Sequence, residues 1–272
     1  MCKRPAFGLT EAVGEGPILL VETLMSDEAQ HRRRVVLKIS GESFAAEGSL
    51  GIGPEQLQHI ASEIVSAAVD GVQIAVVVGG GNIIRGAALA KAGSIDQSTA
   101  DYMGMLGTVI NGVALKEAIQ RIGRDARTMS AINLPAVAEP FIKARANRHL
   151  QKGRIVILVA GTGNPFFTTD TCASLRAIEL GADALLKATK VDGIYSADPK
   201  KDPTATKFDQ LSYNQVIEQK LGVMDLTALT MCMEHDLPVQ VFDFHQSGNI
   251  RRVVAGEHLG TLVTSSESTV SH

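Results

Sequence analysis

The sequence predicts an α/β fold: a three-layer αβα sandwich in which helices cover both faces of a mostly parallel sheet. Two observations support this prediction. Short apolar runs rich in β-branched residues alternate with segments whose apolar residues recur at helical spacing, the pattern of a parallel sheet buried on both faces. Several of these runs also end in glycine-rich turns, and a chain of 272 residues is long enough to form one such domain.

The first part of the chain predicts a strand–helix–strand unit followed by a long helix. Strands are expected over residues 35–39 and 73–78, and the helix between them over residues 54–70, with Pro54 at its first position. The long helix is expected over residues 101–122. Six of its residues recur at intervals that predict a core-facing side: Met103, Leu106, Ile110, Val113, Ala114 and Ala118.

The second part of the chain predicts a strand, a tight turn and a helix start. The apolar run 154–160 leads into a turn rich in glycine and proline. The threonines that follow and Asp170 suit a helix start, and Gly181 suits its end. Such an arrangement is a natural anion site, although an ordinary loop has the same local pattern. Further strands are expected over 184–188 and 238–242, with helices near 212–220 and 225–235.

Composition excludes several classes of protein. The 26 Lys and Arg residues against 29 Asp and Glu give a net charge of −3, which argues against general binding to nucleic acid or to a membrane surface. No apolar run approaches the ~20 residues that span a bilayer. The three cysteines, Cys2, Cys172 and Cys232, are scattered without metal-ligand spacing, so we expect a reducing cytoplasm and core positions for the two inner ones.

The chain is expected to contain one catalytic domain, over residues 34–265. Residues 1–33 are expected to be a poorly ordered extension, and Met25 is a second candidate for the translation start. Residues 266–272 form a short tail.

Groups that bind phosphate follow three of the predicted strands. The first strand ends in Lys38 and a glycine, the second in three glycines followed closely by Arg85, and the third in the turn before Asp170. Ligands collect at the carboxyl ends of parallel strands, so these groups are expected to meet. The sequence has neither the P-loop pattern nor the Gly-x-Gly-x-x-Gly fingerprint, which argues against a P-loop kinase and a nicotinamide enzyme.

These residues lie in segments that resemble bacterial uridylate (UMP) kinases of the amino acid kinase superfamily, from about Arg34 to Val263. The matching segments are residues 38–42, 79–86, 101–105, 160–170, 187–193, 197–203 and 223–226. The stretch 160–170 together with Asp101 indicates the uridylate branch of the superfamily.

The resemblance implies two substrate sites and a group of catalytic residues. The residues implied to bind ATP are Lys38, Ile39, Ser40, Gly41, Gly81, Arg85, Thr189, Tyr195 and Asp198. Those implied to bind UMP are Gly80, Arg85, Asp101, Thr162, Gly163, Asn164, Pro165, Phe166, Phe167, Thr168 and Thr169. The residues implied to be catalytic are Lys38, Arg85, Asp170 and Lys187, acting with Mg²⁺ bound to ATP.

Three of these residues also suit a purely structural role. Asp101 would equally suit the N-cap of the long helix, Asp170 would suit a simple helix cap, and Lys187 would suit an ion pair with Asp170 or Asp183. No metal ion is expected to be held by protein ligands alone.

The resemblance further implies a homohexamer that GTP activates and UTP inhibits. The segment that loosely matches the effector region of the family is Ala46, Glu47, Gly48, Ser49, Leu50 and Gly51. Two other functions stay open: a sister kinase acting on acetylglutamate, aspartate or carbamate, and a nucleotide sensor without catalytic activity.

Overall fold

The computed structural model of the chain describes residues 32–68, 71–84, 90–91, 93, 95–199 and 201–266. Three sequence predictions therefore lie outside the described residues: the extension up to residue 31, the role of Arg85, and the tail from residue 267.

Nine strands in the described part form one sheet, in the order β4-β3-β5-β2-β1-β6-β10-β11-β9. Their bounds are β1 Arg34–Ile39, β2 Gln73–Val78, β3 Ala126–Ser130, β4 Glu139–Pro140, β5 Ile155–Val159, β6 Ala184–Thr189, β9 Gln210–Ser212, β10 Val239–Asp243 and β11 Thr261–Thr264. A separate two-stranded sheet pairs β7 (Ile194–Tyr195) with β8 (Lys207–Phe208). Within the described nine-stranded sheet, β10 and β11 are the antiparallel pair and the other neighbours are parallel, so the predicted sheet is confirmed.

Helices cover both faces of this sheet, as the three-layer prediction requires. Their bounds are α1 Pro54–Ala67, α2 Gln97–Arg121, α3 Lys143–Gln151, α4 Thr169–Leu180, α5 Tyr213–Glu218, α6 Leu226–Glu234 and α7 Asn249–Val254. Helices α1, α2 and α7 contribute to the core on one face, and α3 to α6 contribute to the core on the other. No helix among the described residues is long and apolar enough to cross a membrane.

The alternation of side chains along β1 and β6 places two lysines on the same face. In β1, Leu37 and Ile39 belong to the core under α1 and α2, whereas Val36 belongs to the core under α4. Lys38 therefore points toward the α4 face. It lies in register with Lys187 of β6, so the two ammonium groups reach the same region.

Helix α4 begins and ends where the sequence predicts. The side chain of Thr168 accepts hydrogen bonds from the backbone N–H groups of Asp170 and Thr171, at 3.1 Å each. Gly181 ends the helix with a φ of 62°, a left-handed conformation that glycine adopts without strain.

The long helix differs from its prediction in its start and in the face that it buries. It begins at Gln97, because Asp96 caps it by accepting a hydrogen bond from the N–H of Ser98. The predicted core residues Leu106, Ile110 and Val113 are 46, 50 and 39% exposed, so that part of the prediction is wrong. The residues that are buried instead are Ala100, Met105, Gly107, Thr108, Val109, Asn111, Gly112, Leu115, Ala118 and Ile119.

The two inner cysteines are free and buried, as predicted. Burial raises the pKa of both the Cys172 and the Cys232 thiol to about 11. They remain protonated at neutral pH and serve as small core residues.

Candidate active site

Three charged side chains meet at the carboxyl ends of β1 and β6. The Asp170 carboxylate, at the start of α4, forms ion pairs with Lys38 Nζ at 2.9 Å and with Lys187 Nζ at 2.7 Å. All three side chains are largely buried, between 13 and 16% exposed. Two positive charges therefore face one negative charge, which leaves this cluster with a net charge of +1.

The charges of this cluster shift the pKa values of its members. Burial would by itself raise the pKa of Asp170, but the neighbouring Lys38 and Lys187 ammonium groups together outweigh it and hold the pKa below its ordinary value. Burial lowers the pKa of Lys187; the charge of Asp170 opposes that shift, and the charge of Lys38 adds to it. Asp170 is therefore a carboxylate at neutral pH and holds both lysines in place.

A cavity of about 260 Å³ lies on one side of this cluster. It is lined by Gly80, Gly81, Ile84, Ala100, Asp101, Gly104, Met105, Thr108, Gly161, Thr162, Phe167, Thr168 and Thr169. Six of the residues predicted to bind UMP are among them. Gly81, which the resemblance assigns to ATP, lines this same cavity.

Asp101 does not cap the long helix, because Asp96 occupies that position. Its carboxylate instead accepts a hydrogen bond from the backbone N–H of Phe166 at 2.8 Å and another from Gln97 Nε2 at 2.8 Å. The structural alternative for Asp101 is therefore wrong, and the side chain is directed toward the loop after β5.

The loop after β5, residues 160–168, has an unusual backbone. Ala160 and Phe166 have φ values of 63° and 70°, which non-glycine residues rarely adopt. Phe166 is also 74% exposed. Backbone strain of this kind clusters at ligand sites. Gly163, Asn164 and Pro165 belong to the same loop.

A second cavity, of about 490 Å³, borders the cluster at Lys187. It is lined by Lys187, Thr189, Val191, Gly193, Ile194, Tyr195, Ser196, Ala197, Asp198, Pro199, Gln219, Lys220, Leu221, Gly222, Val223 and Val241. Thr189, Tyr195 and Asp198, all predicted to bind ATP, are among them. The Tyr195 hydroxyl donates a hydrogen bond to Asp192 at 2.7 Å, which raises the pKa of Tyr195 and lowers that of Asp192.

The remaining predicted ATP residues lie at the ends of β1 and β2. Ile39 is a fully buried core residue, and Ser40 precedes a 3₁₀ helix, Gly41–Phe44. A Cβ atom added at Gly41 would lie 2.9 Å from the carbonyl carbon of Gly79, so the two strand ends touch through their backbones.

The segment predicted to bind effectors is exposed over residues 46–50. Glu47 lines a separate cavity of about 530 Å³, together with His59, Lys190 and His245 among others. Gly51 exchanges hydrogen bonds with Asn82, which follows the three glycines after β2.

Sequence reasoning missed Asp225 as a residue of the site. It caps α6 by accepting from the Ala228 N–H at 3.0 Å, and it also accepts hydrogen bonds from the Thr168 and Thr171 hydroxyl groups. Asp225 thus joins the starts of α4 and α6. Its segment, 223–226, was part of the resemblance, but no residue pattern indicated this contact.

The chain matches the family model described as amino acid kinase family over residues 33–243. The chain belongs to the amino acid kinase family. The family model covers β1 to β10, and the cluster and both cavities lie within that range.

Solved structures of other members of the amino acid kinase family are similar to this one. A UMP kinase from Bacillus anthracis is 41% identical, with a TM-score of 0.84 over 88% of this chain and 99% of that chain. A UMP kinase from Ureaplasma parvum is 33% identical, with a TM-score of 0.80 over 86% of this chain and 99% of that chain. A uridylate kinase from Archaeoglobus fulgidus is 31% identical, with a TM-score of 0.64 over 85% of this chain and 99% of that chain.

Proposed function

We propose that this member of the amino acid kinase family transfers the γ-phosphoryl group of ATP to UMP, giving ADP and UDP. The observation that carries the proposal is that two cavities have lining residues in or next to the Lys38–Asp170–Lys187 cluster. Lys187 itself lines the larger cavity, and Thr169, next to Asp170, lines the smaller one. The similar structures described as UMP and uridylate kinases support the choice of acceptor.

Each substrate has a cavity with suitable chemistry. The larger cavity offers Thr189, Tyr195 and Asp198 to the nucleoside of ATP. The smaller one offers Asp101 to the ribose of UMP, and the N-terminus of α4 and the glycines after β2 to its phosphate. Arg85 completes the phosphate contacts in this proposal.

Charge and position, rather than a general base, account for the catalysis. The second pKa of a phosphate monoester is about 6, so the acceptor oxygen of UMP is already largely ionised at pH 7. The barrier comes from bringing two anions together in line. Lys38 and Lys187 offset the charge on the oxygens of the transferring group, and Asp170 holds both ammonium groups toward it.

The residues present fit a Mg²⁺ ion that ATP carries. Among the described residues, no group of three or more His, Cys, Asp and Glu side chains could hold a metal by itself. Mg²⁺ typically keeps several waters and binds through phosphates and one or two carboxylates, of which Asp170 is one candidate. When bound, Mg²⁺ supplies further positive charge to the phosphoryl oxygens.

An ADP-release assay with MgATP tests the proposed reaction. UMP, CMP, dUMP and acetylglutamate are compared as acceptors, for the wild type and for Lys38→Met and Asp170→Asn. We expect rapid turnover of UMP, slower turnover of dUMP, and a loss of about 10²-fold or more in kcat in both variants, the scale for removing one charge-stabilising group. Lys152→Met changes an exposed lysine and serves as the matched control.

Two outcomes of this assay would contradict the proposal. Turnover of acetylglutamate in place of UMP would make the chain a sister kinase. Tight binding of nucleotides without turnover would make it a nucleotide sensor.

We further propose that the chain acts as a homohexamer in the cytoplasm, with GTP as activator and UTP as inhibitor. Support for self-association comes from α2, whose outer face carries four apolar residues that are 39 to 50% exposed: Tyr102, Leu106, Ile110 and Val113. The exposed segment 46–51 is the proposed effector region. No contact with nucleic acid or membrane is part of the proposal.

A further inference from the structure

Two buried asparagines form a reciprocal pair between the glycine turn (residues 79–82) and helix α2. Asn82 is 2% exposed and Asn111 is fully buried. Asn82 Nδ2 donates to Asn111 Oδ1 at 3.0 Å, and Asn111 Nδ2 donates to Asn82 Oδ1 at 2.7 Å. Each amide thus satisfies the acceptor of the other.

The second N–H of each amide reaches a backbone carbonyl. Asn111 Nδ2 donates to the carbonyl of Gly79 at 2.8 Å, and Asn82 Nδ2 donates to that of Gly51 at 2.7 Å. The Gly51 N–H donates in return to the Asn82 carbonyl at 2.8 Å. The pair therefore fastens the glycine turn to α2 on one side and to the end of segment 46–51 on the other.

Both hydrogen bonds that the Asn111 amide donates go to the glycine turn, and its oxygen accepts one from Asn82 of the same turn. One turn further along α2, the same buried face carries Leu115, which fills the core with an apolar side chain. Core filling alone does not require an amide, since a buried polar group stabilises little unless every hydrogen bond is made. The hydrogen bond from Asn111 Nδ2 fixes the direction of the Gly79 carbonyl, and a fixed carbonyl fixes the peptide plane that it shares with the Gly80 N–H.

We propose that Asn111, acting through Asn82, is a positioning residue that sets the backbone of the glycine turn against the substrate phosphates. The proposal rests on the proposed function, because Gly80 and Gly81 line the smaller cavity, next to the Lys38–Asp170–Lys187 cluster. The three glycines of the turn have no side chains with which to orient its backbone, and the asparagine pair supplies side-chain hydrogen bonds that do so.

Three variants separate positioning from mere stability. Asn111→Leu removes all of its hydrogen bonds at similar size, and Asn111→Asp keeps the acceptor oxygen but loses both donors. In the double variant Asn82→Leu/Asn111→Leu neither amide is left unpaired by the loss of the other, so part of the stability should return, although the carbonyls of Gly79 and Gly51 still lose their donors. Leu115→Ala is the matched control, because it weakens the same helix face without touching the turn.

Two readouts are measured for each variant: kcat/KM for UMP at saturating MgATP, and hydrogen exchange of the backbone amides of residues 79–82 and Gly51 in the free protein. We expect kcat/KM to fall at least tenfold in both Asn111 variants and to stay low in the double variant after its melting temperature partly recovers. We expect exchange to quicken at the same amides. Leu115→Ala should lower the melting temperature and leave kcat/KM and the exchange of these amides unchanged.

Wild-type kcat/KM and exchange in the Asn111 variants would overturn the proposal. So would a double variant that regains activity together with stability, because the pair would then be structural only. The exchange readout does not depend on the reaction: if the wild type fails to phosphorylate UMP, the proposed function fails, while the effect of Asn111 on the glycine turn is still measured.

Discussion

The carboxylate of Asp101, on helix α2, accepts a hydrogen bond from the backbone N–H of Phe166 at 2.8 Å. This contact ties α2 to the strained loop after β5, and both elements border the smaller cavity. Asp101 therefore holds the loop, and in the proposed reaction we expect it also to contact the ribose of UMP.

Asp101→Ala is expected to raise KM for UMP by about 10- to 100-fold, since a hydrogen bond to a charged group contributes about 1.5–3 kcal/mol. The variant should also lose its preference for UMP over dUMP. Initial rates with both acceptors check this prediction. Asp96→Ser, which keeps a helix-capping side chain, is the control and should leave KM unchanged.

Protonation of Asp170 should destabilise the fold in acid. Lys38 and Lys187 hold its pKa below the ordinary value of about 4, so in the window between the two values the unfolded chain binds more protons. The stabilisation by ionised Asp170 is complete at pH values above its ordinary pKa, and it is lost as the pH falls through its lower pKa in the folded chain. The free energies of unfolding of the wild type and of Asp170→Asn, measured in urea, should therefore converge in acid. Asp236→Asn, which changes an exposed carboxylate, should have the free energy of unfolding of the wild type at every pH. A difference between the wild type and Asp170→Asn that does not change with pH would contradict the prediction.

Gly80 and Gly81 should respond differently to alanine although they are neighbours. A Cβ atom at Gly80 would lie 2.6 Å from the Gly104 carbonyl oxygen and 2.9 Å from the Thr108 nitrogen, and neither backbone atom can move easily. At Gly81 nothing lies within 4 Å. Gly80→Ala should destabilise the fold by about 1–3 kcal/mol. Gly81→Ala should melt at the same temperature as the wild type but raise KM for UMP, whose proposed cavity Gly81 lines. Thermal unfolding and initial rates separate the two effects; equal melting temperatures would disprove the steric argument.

Charges on the outer face of α2 should break the proposed assembly. Leu106→Asp and Ile110→Asp place a carboxylate on residues that are 46 and 50% exposed, so the fold of each subunit should be unaffected. Sedimentation velocity should show smaller species than the wild type. Gln120→Asp, exposed at the end of the same helix, should sediment like the wild type. A wild type that sediments as a monomer would exclude the oligomer.

The sequence predicted the strands that have at least three apolar residues in a largely apolar run and missed those with a weaker pattern. Strands β1, β2, β5, β6 and β10 are of the first kind, and their positions are confirmed within one or two residues. Strand β3 includes Arg127 and Thr128, and helix α3 buries only Ala146, His149 and Leu150, so neither has a clear apolar pattern.

The face of α2 was predicted wrongly because more than half of its buried residues are small or polar: Ala100, Gly107, Thr108, Asn111, Gly112 and Ala118. It packs against the glycine turn, and residues such as Gly107 and Asn111 serve that close approach better than leucine. Periodicity of apolar residues detects a helix but not which neighbour it contacts.

The candidate site was predicted where a motif carries its own chemistry. Lys38, Asp170 and Lys187 meet as a cluster, and the resemblance named all three. Asp225 and Asn111 were not predicted, because a single carboxylate or amide on a helix has no local signal and acquires its contacts only when distant elements pack.

The register of Lys38 with Lys187 has a consequence for how the chain is made. Strand β1 leaves the ribosome well before β6, Ala184–Thr189, with which one of its two edges pairs, and β6 in turn pairs with β10, Val239–Asp243. Until those segments are synthesised, the nascent chain carries an apolar strand with an open edge, which invites pairing with other chains. No fragment that ends before β6 could hold the two lysines together.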